Sequence, residues 1–586
     1  MPSAPRSTAS RSTAPPSTGR LRFAPPKYRS ALAIAALLPA FALAACSQQG
    51  STASSAPAAA SSTTITTAWP SDVTTLDPAN LSTSEDHELA RNIYQTLESP
   101  AFTVQGSGSL KYDGANVKPE MAQSWTIGTD SITYHLRQAV KFYGTSDVLT
   151  AEDVKWSLDR IWSTPGVGDL EANGLQSPND IHVINQYTLT IDFKTTAGKP
   201  TPVTPTLMAI FDQPFTSIID ENAVKPHETS ADPTGATWLR SHTAGTGPYY
   251  IAKRDPGTDL VLKAVPGSWA PEPAYTTVDI RVTTGSISSL LQNGTIDLGE
   301  YGMTNQQVNS LAEGGLTVDW EDTGNFDMFG ITSGPASQVG ALANPKVRQA
   351  IAYVMPYSEI LSDILYGRGA RDYSIVSTTA PEYTAAWSMY TTNVAKADSL
   401  MSQAGKPTIS VPLYYLQGDV DQTDTAILIQ SALKQIGITT TLTPETQAGL
   451  FDVVDARSTP ATGAKIGPPG LELFNWTAWT DDPKIVIGYW ATTGGINNYS
   501  LWSSPTVNAL NNEYSLQPTS AARTAAYKQE QEIIAQAAPV IPIVATGTVT
   551  VVAKGISGVS FTPTGSGRYW TLHPSGTTSR LDSLFD

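Results

Sequence analysis

One uncharged apolar segment, residues 31–45, ends directly before Cys46, which is the only cysteine of the 586 residues. The segment is too short to be assigned as a membrane span, which needs about 20 apolar residues. Six basic and no acidic residues lie between residues 1 and 45. A basic stretch followed by a short apolar stretch is the pattern of an export signal. Because Cys46 is the only cysteine, the rest of the chain must fold without disulfides, thiolate metal sites or a nucleophilic thiol.

The residues directly before Cys46 are Leu43, Ala44 and Ala45. A Leu, two small residues and a Cys resemble the lipobox of bacterial lipoproteins. The resemblance implies that residues 1–45 are a signal peptide, removed before Cys46, and that the thiol of Cys46 is diacylated. Residues 46–64 are mostly Ser, Ala and Thr, as in a flexible tether. We expect an exported protein, lipid-anchored to the outer face of the cell membrane or in the periplasm.

Charge and size restrict the remaining body. The chain carries 36 Lys and Arg against 52 Asp and Glu, and its basic leader leaves the rest more acidic still. This balance argues against nucleic acid as a partner, because nonspecific binding needs a basic footprint. A single hydrophobic core stops growing at about 250–300 residues, so we expect two or three lobes.

Hydrophobic periodicity predicts a mixture of strands and helices without internal repeats. Alternating residues predict strands, and apolar residues three and four apart predict helices. The predicted strands include 65–69, 132–136 and 187–193, and the predicted helices include 88–97, 287–293, 345–355, 423–436 and 520–537. A further helix should begin after Thr150, where Thr-Ala-Glu-Asp resembles a capping box. The pattern favours α/β lobes that share one chain.

Short motifs follow one another in a definite order from about residue 65 to residue 570. They are Leu76–Pro78, Asn92–Leu97, Pro119–Trp125, Leu136–Phe142, Leu149–Val154, Gly245–Tyr249, Gly294–Asp297, Val347–Ala350, Gly437–Ile438 and Ala538–Pro542. Each match is weak alone, but the ordered set resembles the bacterial extracellular solute-binding proteins of family 5, the dipeptide, oligopeptide and nickel-binding class. We expect most of these motifs to be scaffold, with Arg348 paired at the edge of a buried helix.

The resemblance implies an α/β clamp like the periplasmic binding proteins, with two main lobes and an inserted third domain. The first lobe would comprise 65–100, 205–300 and 545–586, the inserted domain 101–204 and the third lobe 301–544. A monomer of this kind closes about a hinge on a small solute and delivers it to the permease subunits of an ABC importer. A peptide is the first candidate solute, and a sugar, a nickel chelate and an opine-like molecule remain alternatives. No cofactor and no metal site is expected.

The resemblance also implies that two segments contact the ligand. In peptide-binding relatives the loop after Leu-Asp-Pro touches the bound backbone, which maps to Ser82, Thr83 and Ser84. The second segment maps to residues 475–483, where Trp476, Thr477 and Trp479 become candidates.

This second segment departs from the pattern of the family. Relatives place an Asp four residues before a Pro to pair with the ligand's ammonium group, but Trp479 occupies that position before Pro483. Asp481 lies on the same face if the segment is extended, so it is the candidate replacement. Asp482 remains an alternative. If neither carboxylate serves, the ligand is not an ordinary free-amine peptide, because an unpaired buried ammonium costs several kcal/mol.

A secreted, lipid-anchored hydrolase is the enzyme alternative. The six histidines are scattered, without the His-Glu-x-x-His pattern of a zinc helix or the Gly-x-Ser-x-Gly pattern of a nucleophile elbow. Residues 431–434 match Ser-x-x-Lys, but this short match lies on a predicted amphipathic helix and favours a structural role. The sequence therefore predicts a binding protein and not an enzyme.

Overall fold

The computed structural model describes residues 63–577, with gaps at 106–107, 165, 196–197, 379, 459–468, 477–481 and 563–566. Cys46, the predicted signal peptide and most of the predicted tether lie outside the described residues. Three predicted ligand contacts, Thr477, Trp479 and Asp481, also fall outside them. No helix in the described ranges has the length and apolar character needed to span a membrane.

Strands and helices are mixed along the chain. The strands are β1 Thr64–Trp69, β2 Glu98–Val104, β3 Leu110–Pro119, β4 Ala122–Ile127, β5 Ser131–Leu136, β6 Ile181–Asn185, β7 Thr188–Asp192, β8 Tyr249–Asp255, β9 Asp259–Ala264, β10 Thr277–Val282, β11 Leu298–Gly299, β12 Thr317–Glu321, β13 Phe326–Ile331, β14 Ala370–Arg371, β15 Ile409–Leu416, β16 Ile438–Glu445, β17 Leu471–Trp476, β18 Val540–Ala545, β19 Thr548–Val552, β20 Ile556–Ser557 and β21 His573–Pro574. The helices are α1 Ser84–Ile93, α2 Ala151–Ile161, α3 Val167–Ala172, α4 Pro205–Ile210, α5 Glu221–Val224, α6 Ala236–Leu239, α7 Ile287–Gln292, α8 Asn305–Glu313, α9 Ala336–Val339, α10 Pro345–Val354, α11 Tyr357–Glu359, α12 Val394–Gln403, α13 Val420–Gln435, α14 Gln447–Ser458, α15 Pro483–Trp490, α16 Pro505–Tyr514 and α17 Ala521–Ala537.

The first large sheet has seven strands in the order β12-β19-β11-β1-β10-β9-β8, with β1 parallel to both β10 and β11. Successive residues of β1 point to opposite faces. Ile65 and Trp69 join one core together with Leu89 of α1, whereas Ala68 joins another with Ile287 of α7. Helices therefore cover both faces of this sheet.

The second large sheet has six strands in the order β14-β18-β13-β17-β15-β16. Strand β15 is parallel to β16 and β17, and β13 is antiparallel to its two neighbours β17 and β18. Its largest core brings Met328 and Leu413 from the sheet together with Ile351 of α10 and Ile429 of α13. Strands β15, β17 and β18 consequently direct their carboxyl ends towards the same edge.

A smaller antiparallel sheet, in the order β4-β5-β7-β6, is inserted in the sequence between β1 and β8. Helix α2 packs on it through Val154, Leu158 and Ile161, the apolar face that the sequence predicts. The capping box at the start of α2 is present, since the Asp153 carboxylate accepts the backbone N–H of Thr150 at 2.8 Å.

The chain crosses between the two large sheets at 322–325 and again at 546–547. These crossing segments bond to each other, because the Asn325 carbonyl accepts the backbone N–H groups of Thr546 at 2.9 Å and Gly547 at 3.3 Å. Gly547 has a φ of 59°, and a Cβ there would lie 2.2 Å from the Glu321 carbonyl oxygen. The close approach of the two segments thus depends on glycine.

Strand β12 pairs with β19 in the seven-stranded sheet, although residues 317–321 lie within the range predicted for the third lobe. By strand pairing, the change from one large sheet to the other therefore falls after Glu321.

Candidate ligand-binding cleft

The carboxyl ends of strands from both large sheets meet around one cavity. Residues that follow β11 approach it from the seven-stranded sheet, and residues that end or follow β15, β17 and β18 approach it from the six-stranded sheet. In open α/β sheets, ligands bind in the crevice outside the carboxyl ends of the strands. The cavity therefore lies where a solute is expected between two such sheets.

This cavity, called the acidic cavity here, has a volume of about 310 Å³. Its walls are lined by Glu300, Met303, Asn305, Val308, Asp327, Leu365, Asp419, Asp421, Gln422, Asn475, Thr546, Gly547, Thr548 and Val549. Thr546 and Gly547 belong to a crossing segment, so the acidic cavity lies directly beside the connection between the two sheets.

The two sheets contact each other at the rim of the acidic cavity. The Asp421 carboxylate accepts the side-chain amide of Asn305 at 2.9 Å and its backbone N–H at 3.3 Å. A turn further along α8, Asn309 accepts a hydrogen bond from Arg368 at 3.1 Å. Asn305 begins α8, while Asp421 lies in the first turn of α13. Two helix N-termini therefore meet across the interface.

Burial and mutual repulsion change the protonation of the cavity carboxyls. Asp327 accepts a hydrogen bond from the side-chain amide of Asn475 at 3.0 Å. Burial raises the pKa of Asp327 to about 7, and the nearby charges of Asp419 and Asp421 raise it further against the lowering effect of Asn475. Burial and the charge of Asp419 also raise the pKa of Asp421, although the Asn305 N–H lowers it. The groups that disfavour ionisation here are other carboxylates, as expected for like charges at short range.

Glu300 adds a carboxyl from the seven-stranded sheet and interacts with the carboxyl of the buried Glu88. Burial raises the pKa of Glu88, and burial together with the Glu88 charge raises the pKa of Glu300 well above its usual range. The Tyr569 hydroxyl donates to Glu88, and the Trp69 indole N–H lies 3.4 Å from the same oxygen. Each carboxyl therefore disfavours ionisation of the other, as expected for like charges at short range.

Comparison with known families decides where the chain belongs. Residues 116–498 match the model of the bacterial extracellular solute-binding proteins, family 5 middle domain. The chain belongs to solute-binding protein family 5. The family assignment and the α/β clamp predicted from the sequence are both confirmed.

Two named relatives align with most of this chain. A probable D,D-dipeptide-binding periplasmic protein of Escherichia coli K12 is 24% identical over 500 residues, which is 84% of this chain and 90% of the relative. A glutathione-binding protein of the same strain is 25% identical over 503 residues, covering 84% and 91% of the two chains.

Solved structures show the same fold. The Helicobacter pylori periplasmic binding protein DppA, in complex with the peptide STSA, aligns with a TM-score of 0.67 at 20% identity and covers 87% of this chain and 98% of its own. The substrate-binding protein CtaP of Listeria monocytogenes aligns with a TM-score of 0.73 at 18% identity, with 87% and 99% coverage.

The first predicted contact segment of this family 5 protein forms the N-terminus of α1. Thr83 caps the helix in a capping box with Asp86. Ser82 and Ser84 are exposed. The hydroxyl of Ser82 lies 3.0 Å from that of Thr74 and 3.2 Å from the Asp86 carboxylate. The segment follows β1, at the carboxyl end of a parallel strand, but it does not line the acidic cavity.

Trp476, the described residue of the second predicted segment, ends β17 opposite Phe326. Its ring packs edge-on against Trp490, with centroids 5.3 Å apart, and the buried indole N–H groups of both tryptophans have no hydrogen-bond partner among the described residues. Asn475, one residue earlier, points to the opposite face and lines the acidic cavity. Trp476 therefore belongs to an aromatic cluster on the other side of the sheet from that cavity.

Asp482, the alternative carboxylate, serves the scaffold. It caps α15 by accepting the backbone N–H of Lys484 at 2.9 Å. It also forms a buried ion pair of 2.5 Å with Arg523, whose guanidinium pairs with Glu382 as well. Removing its charge would leave Arg523 undercompensated.

Sequence reasoning missed the carboxylates of the acidic cavity. Asp419 and Asp421 lie between β15 and the helix predicted at 423–436, which is the usual position of site residues in α/β proteins. Asp327 gave no such signal, because it lies inside the antiparallel strand β13. The Ser-x-x-Lys match carries no comparable geometry, since Ser431 and Lys434 are both exposed on α13.

Proposed function

We propose that this family 5 protein is the solute receptor of an ABC importer and captures a peptide-like solute by closing two lobes about a hinge. The observation that carries this proposal is the acidic cavity, which lies between the carboxyl edges of two sheets and beside both crossing segments. The relatives named for a dipeptide and for glutathione support a peptide-like solute.

In this proposal the seven-stranded sheet forms the first lobe, the six-stranded sheet the third, and the four-stranded sheet the inserted domain. The bonded pair of crossing segments supports a hinge, because few connections have to change their backbone angles when the sheets rotate. The contact of Asn305 with Asp421 supports an interface that forms on closure.

We further propose that Ser82, Thr83 and Ser84 face Trp476, Thr477, Trp479 and Asp481 in the complete cleft. The positions of Ser82–Ser84 after β1 and of Trp476 as the last residue of β17 support this arrangement, since both strands have parallel neighbours and ligands bind outside the carboxyl ends of such strands.

Native mass spectrometry of the purified chain, followed by small-angle scattering, tests the proposal. We expect a small molecule to co-purify, and we expect the radius of gyration to fall when that molecule is added back to the emptied protein. A ligand shifts the population only if it binds the closed state better. An unchanged radius at saturation would exclude hinge closure.

Anchoring requires a separate experiment. We propose that the mature protein is a monomer held to the membrane by lipid on Cys46, because a sole cysteine ends a lipobox-like sequence. Cys46→Ala should release the protein from the membrane fraction or leave it as an uncut precursor. A mature-sized Cys46→Ala protein that still sediments with membranes would contradict the anchor.

A further inference from the structure

The charged groups that line the acidic cavity are all carboxyls. Glu300, Asp327, Asp419 and Asp421 come from three segments that belong to both sheets, and the described lining includes no Lys, Arg or His. A solute enclosed there meets only negatively charged groups, and low-dielectric walls strengthen the electric field of these groups.

The described partners of these carboxylates are neutral. Asp327 bonds to Asn475, Asp421 to Asn305, and Asp419 to the backbone N–H of Gln422 at 2.9 Å. The ion pairs found within the described ranges include none of the four carboxyls. Within this part of the chain, their charge is therefore satisfied by dipoles and not by a cationic side chain.

Glu300 provides a second observation that points towards a ligand. Its Oε2 atom is buried and accepts no hydrogen bond from any described donor. Glu88 lies behind it in the core. A buried oxygen without a donor costs free energy unless a ligand supplies one.

The shape and lining of the cavity distinguish an organic cation from a bare metal ion. Across the described residues, no three His, Cys, Asp or Glu side chains stand close enough together to hold a metal ion. The remaining walls include the apolar side chains of Met303, Val308, Leu365 and Val549. Mixed apolar and carboxylate walls suit a charged nitrogen attached to carbon.

We propose that the acidic cavity binds the ammonium or guanidinium group of a cationic organic solute, with Asp327, Asp419 and Asp421 as its counter-charges and Glu300 as an additional acceptor. This inference rests on the proposed function, since it names the class of solute that the receptor selects. These carboxylates would also supply the negative charge that is lacking at Trp479, the position where relatives have an Asp. Anionic solutes such as carboxylated chelates are disfavoured, because they would place like charges together.

The cavity provides conservative variants for a test. Asp419→Asn removes the charge but keeps an N-cap residue for α13. Asp327→Asn keeps the shape of the side chain beside Asn475. Asp424→Asn is the matched control, because Asp424 lies on the same helix α13 but is exposed and outside the cavity.

Calorimetry with two matched probes decides the proposal. Alanyl-alaninamide carries one ammonium group, and N-acetyl-alanyl-alaninamide has the same body without the charge. We expect only the charged probe to bind the parent, and Asp327→Asn and Asp419→Asn each to weaken that binding about tenfold or more, while Asp424→Asn leaves it unchanged. Circular dichroism of each variant checks that it is folded.

Other outcomes separate this inference from the function on which it rests. Equal binding of both probes, or of the charged probe to parent and cavity variants alike, would overturn the cationic selection. If a neutral or anionic solute co-purifies and closes the protein, the receptor function stands and the inference fails. If no solute of any charge binds or co-purifies, both are wrong.

Discussion

The ammonium group of Lys484 donates to the side-chain carbonyl of Asn173 at 3.2 Å. Lys484 lies in α15, beside the six-stranded sheet, whereas Asn173 directly follows α3 in the inserted part of the chain. Burial lowers the pKa of Lys484 to about 8, although the charge of Asp482 opposes this shift. The desolvated ammonium group of Lys484 thus links α15 to the residue that follows α3.

Replacing Lys484 with Met tests whether this contact stabilises a closed form. The variant keeps most of the apolar stem but loses the donor, so we expect a larger radius of gyration without ligand and a several-fold weaker affinity. Lys528→Met on α17 is the control, since Lys528 is exposed. Identical scattering curves for Lys484→Met and the parent would show that the contact does not influence closure.

The pH dependence of stability should be dominated by buried carboxyls. Burial raises the pKa values of Asp212, Asp327 and Asp372 to about 7 and that of Glu530 to about 8. Between about pH 4 and 7 the folded protein then binds more protons than the unfolded chain, so its free energy of unfolding falls as pH rises. His87, with a pKa lowered by burial to about 4, acts in the opposite direction but is a single group. We expect a higher melting temperature at pH 5 than at pH 8.

Asp327→Asn isolates one of these contributions. An amide does not ionise, so we expect the gain in unfolding free energy of the variant over the parent to be larger at pH 8 than at pH 5, by about 2 kcal/mol. Urea unfolding at both pH values measures the difference. A gain that is equal at pH 5 and pH 8 would mean that ionisation of Asp327 is not its source.

Gly547→Ala should disturb the crossing segments. The new Cβ meets the Glu321 carbonyl oxygen at 2.2 Å and also requires a left-handed backbone, so we expect a loss of about 2–4 kcal/mol. Gly555→Ala is the matched control, because Gly555 has a φ of 93° but open space around its Cα, and should cost only about 1 kcal/mol. Equal losses in the two variants would assign the effect to backbone conformation alone.

Trp479 and Asp481 remain predicted ligand contacts. If Trp479 covers the solute, Trp479→Ala should weaken binding by about 2–4 kcal/mol while the fold stays intact. Asp481→Asn should weaken binding only for a cationic solute. Calorimetry of Asp481→Asn beside Asp327→Asn then shows which carboxylate carries the counter-charge. If Trp479→Ala and Asp481→Asn both bind like the parent, residues 477–481 are not a contact segment.

Local patterns predicted individual elements well, but less reliably their ends. The helix predicted at 88–97 occupies Ser84–Ile93, because Thr83 and Asp86 form a cap and Tyr94 adopts an extended conformation. The Tyr94 hydroxyl then donates to the Leu76 carbonyl at 2.8 Å. Such a contact depends on tertiary packing, which periodicity does not contain.

Long-range partners were harder still to predict. Arg348 was expected to be paired at a helix edge, but its buried guanidinium donates to the backbone carbonyls of Leu342, Ala343 and Ala537. The acidic cavity shows the same limit, since Glu300, Asp327 and Asp419 meet only after two sheets have formed and approached each other. The family pattern directed attention to two contact segments, whereas these charges come from other segments.

The position of β19 determines the order in which the molecule can be completed during synthesis. This strand pairs with both β11 and β12, which emerge from the ribosome far earlier. Until residues 548–552 are made, those two strands expose backbone groups that another chain can pair with. A chain that stops between Ala545 and Thr548 contains every strand of the six-stranded sheet and still leaves the seven-stranded sheet unfinished. Protection from aggregation in this interval is therefore a requirement set by topology and not by the solute.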